Sequence, residues 1–155
     1  MRRRTILLSL AGLFLLATVC VAADDVNMGT WKLNEAKSKI SPGTGKNQTV
    51  VYEAKGDKVK VTVDGVDGAG KPAHNEWTGK FDGKDYPVKG DPGNDTRSYR
   101  RISDHTLALV DKKDGKVTTS GRITVATDGK TRTVTTHSTD AKGNKSTSTQ
   151  VFDKK

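Results

Sequence analysis

The chain has 155 residues, a formal net charge of +9 and a single cysteine, Cys20. This length fits one domain preceded by a short targeting segment. One cysteine excludes an internal disulfide framework and a zinc site built from several cysteines.

The N-terminal segment has the order of a secretory signal peptide. Three arginines, Arg2–Arg4, precede the apolar run Ile6–Ala22, which ends in small residues. Charge, apolar core and small-residue cleavage site follow one another in this way in exported proteins. Cleavage after Ala22 and cleavage after Ala23 fit equally well. The sequence therefore predicts a signal peptide at 1–23 and an exported domain at 24–155, located in the periplasm or the medium.

Two other fates of this segment are less consistent with the sequence. A permanent membrane anchor needs roughly 17 to 25 apolar residues, and the run reaches only the lower end of that range. The alanine-rich exit also favours cleavage. Lipid attachment at Cys20 is disfavoured, because Val19 is large where a lipoprotein box requires a small residue. Removal of the leader leaves no cysteine, which excludes a thiol nucleophile.

The exported domain remains basic. Loss of the three leader arginines lowers the formal charge from +9 to +6. A basic surface outside the cytoplasm favours anionic partners, such as an anionic envelope surface. The alternative is a well-charged soluble surface without a specific partner. Export argues against nucleic acid as the partner.

Beyond the leader the sequence alternates with a period of two, which is typical of β-strands. One short segment, Asn34–Ile40, instead predicts one or two helical turns with Asn34 as the cap. Residues expected to share the inner faces of three strands are Val59, Val61 and Val63; Trp77 and Phe81; and Val117, Thr119, Gly121, Ile123 and Val125.

Turn-forming residues separate these strands at regular intervals. Asp-Gly pairs tolerate the positive φ that tight hairpins require. The spacing leaves no room for crossover helices, so successive strands should pair antiparallel. The predicted turns are at 55–58, 67–71, 81–84, 113–116, 127–130 and 141–145. A longer loop carrying an exposed Tyr86 is predicted at 82–92.

These strands predict an all-β fold, an antiparallel up-and-down meander that closes into a barrel of about eight to ten strands. Closure removes the two exposed edges that such a meander would otherwise present. An open twisted sheet or a two-sheet sandwich is the alternative. Because large apolar residues are scarce, we expect a lumen that is partly polar, hydrated or small.

The opening of the exported domain resembles a lipocalin-type barrel of the calycin group. Gly29–Leu33 (GTWKL) is followed by a short helical turn and then by Asp-Gly-Lys hairpins. Over most of 28–155 the chain is similar to small bacterial exported proteins described as lipocalin-like. The stretches that carry this similarity are Trp31–Gly43, Glu76–Pro92, Tyr99–Val117 and Asp128–Thr135.

This resemblance implies a structural role for Trp31. In lipocalins the tryptophan of Gly-x-Trp lies across the closed end of the barrel, under an arginine from a late strand. Trp31 matches the first half of that arrangement, and either Arg122 or Arg132 matches the second through a cation–π contact.

The polar residues do not form a recognisable catalytic set. Three histidines, His74, His105 and His137, lie far apart without metal-ligand spacing. The acidic residues concentrate in turns, where they act as turn formers. Nucleophile-elbow, phosphate-loop and dinucleotide motifs are absent from the sequence. We therefore expect a protein without enzymatic activity, metal or cofactor.

The most informative polar segment is Asp95–Ile102. As a strand it places Arg97, Tyr99 and Arg101 on one face. Two guanidiniums beside a phenol can clamp a carboxylate or phosphate head group. The alternative is that this face is solvated.

Two functions follow as expectations. The first is an exported lipocalin-like binding protein that holds a small apolar or amphipathic ligand, with or without an anionic head. The second is a monomeric structural or interaction protein of the cell envelope with a filled barrel. Under the first, Trp77, Phe81 and Tyr99 contact the ligand, and Arg101 or Arg122 meets its head.

Overall fold

A computed structural model describes residues 25–155. The predicted signal peptide, its cleavage after Ala22 or Ala23, and Cys20 lie outside these residues. In the described part of the chain, ten antiparallel strands form a closed barrel. The strands are β1 (Gly29–Leu33), β2 (Lys46–Lys55), β3 (Lys58–Val66), β4 (Pro72–Gly79), β5 (Tyr86–Lys89), β6 (Thr96–Ser103), β7 (Thr106–Lys113), β8 (Lys116–Val125), β9 (Thr131–Thr139) and β10 (Lys145–Lys154).

The barrel closes through the first strand. Each strand pairs with the next one in the chain, and β1 pairs with both β2 and β10. Trp31 lies opposite Val50 on one side and Lys154 on the other. The predicted all-β meander and its closure are therefore confirmed, and the open sheet and the sandwich are excluded.

The hairpins form where Asp-Gly pairs supply the required backbone. At the β7–β8 turn, Asp114 and Gly115 both have positive φ, at 49° and 75°. Two consecutive residues of this kind match the twist of the flanking strands. The carboxylate of Asp140 caps the β9–β10 turn by accepting from the side-chain amide of Asn144 and from the backbone amides of Asn144 and Lys142. These bonds, the one from the Asn144 side chain most of all, lower the pKa of Asp140.

The alternation of apolar residues holds along β3 and fails at one end of β8. Val59, Val61 and Val63 are all buried, as predicted. Val117, predicted to face inward, is instead 55% exposed. Thr118 is an extra residue in the β7–β8 register, a bulge that reverses the faces on its N-terminal side.

The helical segment predicted within Asn34–Ile40 is confirmed as a single 3-10 turn, Glu35–Lys37, which Asn34 caps by accepting from the Lys37 amide at 3.3 Å. Another local prediction needs correction. The loop predicted at 82–92 contains β5, whose Tyr86 is half-buried. Each pairing of β5 with its neighbours comprises two residue pairs, which makes it the weakest part of the barrel wall. Residues 25–155 contain no helix long and apolar enough to cross a membrane.

Gly121 tests the close approach of β8 and β9. A Cβ atom at this position would lie 2.5 Å from the carbonyl oxygen of Thr135. Gly121→Ala should therefore lower the free energy of unfolding by about 1 to 3 kcal/mol, because the strands must separate. Chemical denaturation would measure this loss. Ser120→Ala, on the adjacent outer position, should change it by less than about 0.5 kcal/mol. Equal stability of Gly121→Ala and the wild type would contradict this close approach of the two strands.

Candidate ligand cavity

The barrel encloses a cavity of about 440 Å³. Its floor includes Tyr52, Arg132 and Phe152. Its mouth lies among the β3–β4 and β5–β6 loops, where it is lined by Asp67 and by residues 90–94. The lumen is thus blocked at one end and reaches the surface at the other.

The cavity wall changes character between floor and mouth. Apolar side chains surround the lower part, among them Val50, Leu109 and Ile123. Polar side chains dominate nearer the loops, where Asn47, Asn75, Asp91, Arg97, Asp111 and Gln150 line the space. The expectation of a partly polar lumen fits this gradient.

Arg97 is held within the wall by several internal partners. Its Nε donates to Asp111 Oδ1 at 2.6 Å, and its Nη1 donates to Asn75 Oδ1 at 3.2 Å. Asp91 lies 3.7 Å from Nη2. Burial raises the pKa of the Asp111 carboxyl, although the adjacent Arg97 guanidinium opposes that shift. Arg97 is therefore a neutralised structural cation near the mouth.

Three of the predicted ligand-binding residues lie in an aromatic cluster. Trp77 stacks on Phe81 at 6.5 Å and meets Tyr99 edge-on at 4.7 Å. Its Nε1 donates to the carbonyl of Arg97 at 2.8 Å. Of these three, Tyr99 lines the cavity, and burial raises the pKa of its phenol. Trp77 and Phe81 pack beside Tyr99 and are not part of the cavity lining.

The two arginines expected to meet a ligand head do not reach the cavity. Arg101 forms an ion pair with Asp25 and stacks over Phe81 at 5.3 Å, beside the closed end. Arg122 is exposed on the outer face, opposite Ala108 and Thr135. The structure therefore brings neither guanidinium to the lumen, and it does not bring Arg97 and Arg101 together as the expected clamp.

Trp31 fills the closed end. It is completely buried, and its Nε1 donates to the carbonyl of Asn27 at 2.9 Å. The guanidinium of Arg132 lies 4.9 Å from its ring, and the ammonium of Lys154 lies 5.1 Å from it. Of the two arginines considered from sequence, Arg132 is the one that stacks on Trp31.

Arg132 also forms part of the cavity floor, a position that the sequence reasoning did not assign to it. Its guanidinium lies 4.9 Å from the Tyr52 ring and 4.8 Å from the Phe152 ring. The signal was available in the alternation of β9, which directs Arg132, Val134 and Thr136 to the same face. All three line the cavity.

The histidines remain separate. Nδ1 of His74 lies 2.6 Å from Asp64, that of His105 contacts the Val125 carbonyl, and that of His137 contacts Thr147 Oγ1. Within residues 25–155, no three His, Cys, Asp or Glu side chains are grouped as a metal site requires.

Comparison of the chain with models of known protein families gives no match, and comparison with curated proteins gives none either.

Trp31→Ala tests the closed end. The substitution should lower the free energy of unfolding by about 3 to 5 kcal/mol, because it empties a fully packed position. Trp31→Phe should cost less, since it keeps a ring and loses the bond to Asn27, worth about 1 kcal/mol. Urea denaturation of both variants would measure this order. An alanine variant as stable as the wild type would show that Trp31 is not a structural plug.

Asp111→Asn tests the buried ion pair. Removal of this charge leaves the Arg97 guanidinium buried without its main partner, so we expect a loss of about 3 to 5 kcal/mol. Asp57→Asn, which breaks the exposed pair with Lys80, is the control and should leave stability nearly unchanged. Similar losses from both substitutions would contradict the difference between the two pairs.

Proposed function

We propose that the protein is an exported lipocalin-like binding protein that holds a small amphipathic molecule in its barrel. The observation that carries this proposal is the cavity of about 440 Å³, blocked at the floor and open among the loops. Sites for small molecules are commonly concave, largely apolar and of a few hundred Å³.

The gradient of the wall supports an amphipathic ligand. The apolar side chains around the lower cavity, including Val50 and Ile123, favour a hydrocarbon or aromatic body. Asn75 and Gln150 lie nearer the mouth and Arg132 lies at the floor, so polar groups of a ligand find partners at both ends of the apolar part. Tyr99 is the member of the predicted ligand-binding set that lines this space.

Two further features support the lipocalin-like assignment and the location. The N-terminal segment has the order of a signal peptide, which favours a periplasmic or secreted protein. The stack of Arg132 on Trp31 occupies the place that the resemblance to lipocalins implies. We propose that the protein acts as a monomer and by binding, without chemical conversion of the ligand.

The alternative is a structural or interaction protein of the envelope, with a basic outer surface and a filled barrel. That function needs no internal space, whereas this lumen keeps a cavity large enough for a small molecule. The cavity therefore favours the binding function.

Native mass spectrometry of the protein purified from its own periplasm or medium tests the proposal directly. We expect a reproducible additional mass that disappears after delipidation. The bare protein mass, together with no change in tryptophan fluorescence across a panel of lipids and alcohols, would reject the binding function and favour the envelope role.

A pair of adjacent substitutions tests the location of the ligand. Thr136 lines the cavity, whereas Thr135 lies on the outer face. Thr136→Trp should weaken binding of 1-octanol by at least about tenfold by filling the lumen. Thr135→Trp adds the same side chain outside and should retain wild-type affinity. Calorimetric titration would measure both affinities, and unchanged binding by the Thr136 variant would exclude the lumen as the site.

A further inference from the structure

Arg132 is a buried cation at the floor of the cavity. The residue is 2% exposed, and its Nε and Nη1 atoms have no hydrogen-bond partner within residues 25–155. No carboxylate of this part of the chain lies within salt-bridge distance of it. The barrel thus buries a positive charge without supplying the matching negative one.

Arg97, the other buried arginine, has ionic and hydrogen-bonding partners that Arg132 lacks. Arg97 has Asp111, Asp91 and Asn75 as partners. Arg132 has three aromatic rings, whose faces attract a cation but accept no strong hydrogen bond. Burial of a charge without hydrogen-bonding or ionic partners is costly. An anion at the cavity floor would offset that cost.

We propose that Arg132 is the anion subsite of this cavity, and that the ligand is a small monocarboxylate with an apolar body whose carboxylate lies at the floor. This inference rests on the proposed binding function and specifies its ligand class.

The charges around the cavity favour a monoanion. Arg132 is a single cation, whereas a phosphate monoester carries about −1.5 to −2 near neutral pH. At the mouth, the three carboxylates of Asp67, Asp91 and Asp111 outnumber the single positive charge of Arg97 by two. That excess of negative charge repels an anionic head from the loops and directs it toward the floor.

The apolar wall just above Arg132 favours a body of hydrocarbon. Val134 follows Arg132 on the inner face of β9, and Val50 and Ile123 line the same space. A carboxylate at the floor would place the chain of the ligand against these side chains. The carboxylate of the ligand then lies at the charged floor, and its hydrocarbon body lies against the apolar wall between the floor and the polar mouth.

The test compares two probes of similar size and different charge. Octanoate and 1-octanol would be titrated calorimetrically into the purified protein at neutral pH. We expect octanoate to bind at least about tenfold more tightly. This preference should disappear as the pH falls below the carboxyl pKa of about 4 to 5, where octanoate becomes neutral.

Substitutions assign the preference to Arg132. Arg132→Gln should reduce the octanoate-to-octanol affinity ratio to about one, while Arg132→Lys should retain part of it. Arg122→Gln removes an exposed cation from the outer face and should keep the wild-type ratio. If Arg132→Gln does not fold, the ratio in the wild type and its pH dependence decide the question.

The outcomes separate this inference from the function on which it rests. Equal binding of both probes by the wild type would overturn the anion subsite and leave the binding function intact. Binding of neither probe would overturn the inference and count against the function itself. A tenfold preference that survives in Arg132→Gln would place the anion elsewhere and also overturn the inference.

Discussion

Closure of the barrel depends on β1, which pairs with β2 on one side and β10 on the other. At five residues it is among the shortest strands, and it carries Trp31 at its centre. The indole fills the closed end, where its Nε1 binds the Asn27 carbonyl and thereby fixes the entering segment across the barrel. The ion pair of Asp25 with Arg101 ties that same segment to β6. One strand therefore closes the sheet laterally and supplies the plug that closes it axially.

The cavity follows from the composition of the strands. Large apolar side chains are concentrated near the closed end and in the cluster of Trp77, Phe81 and Tyr99. Farther along β8 and β9, Gly121 lies opposite the inward Leu109 and Thr136 lines the cavity, and both residues are too small to fill the lumen. The chain thus stabilises the floor and one wall with tight packing and leaves the centre open. The same distribution gives the cavity a floor of aromatic rings around Arg132, an apolar lower wall and a polar mouth.

Much of the fold could be predicted from sequence, because hairpin residues and period-two alternation are local properties. Val59, Val61 and Val63 show this, since their inward face follows from spacing alone. Val117 shows where local reasoning ends: the bulge at Thr118 depends on the register with β7, which the sequence of a single strand does not determine.

Site residues are harder to predict. Alternation gives the face of a side chain but not its height in the barrel, so it predicts Arg101 in the lumen although this residue lies beside the closed end. Alternation also does not identify which side chains will pair with each other: Asp111, which neutralises Arg97, is 14 residues away in sequence.

The two buried arginines divide the lumen into regions with different electrostatic requirements. Arg97 is neutralised by Asp111 within the wall, so we expect substitution of either residue to lower the stability of the fold. Arg132 is surrounded by the rings of Trp31, Tyr52 and Phe152, which hold the guanidinium in place without neutralising it. A structural plug alone requires only the stacking. The guanidinium of Arg132 also keeps its positive charge at the boundary of an open cavity, and such a charge attracts anions. This attraction is stronger inside the barrel than in water, because the dielectric constant there is lower. In the proposed binding function, stability and the preference for an anionic ligand therefore depend on the same side chain, Arg132.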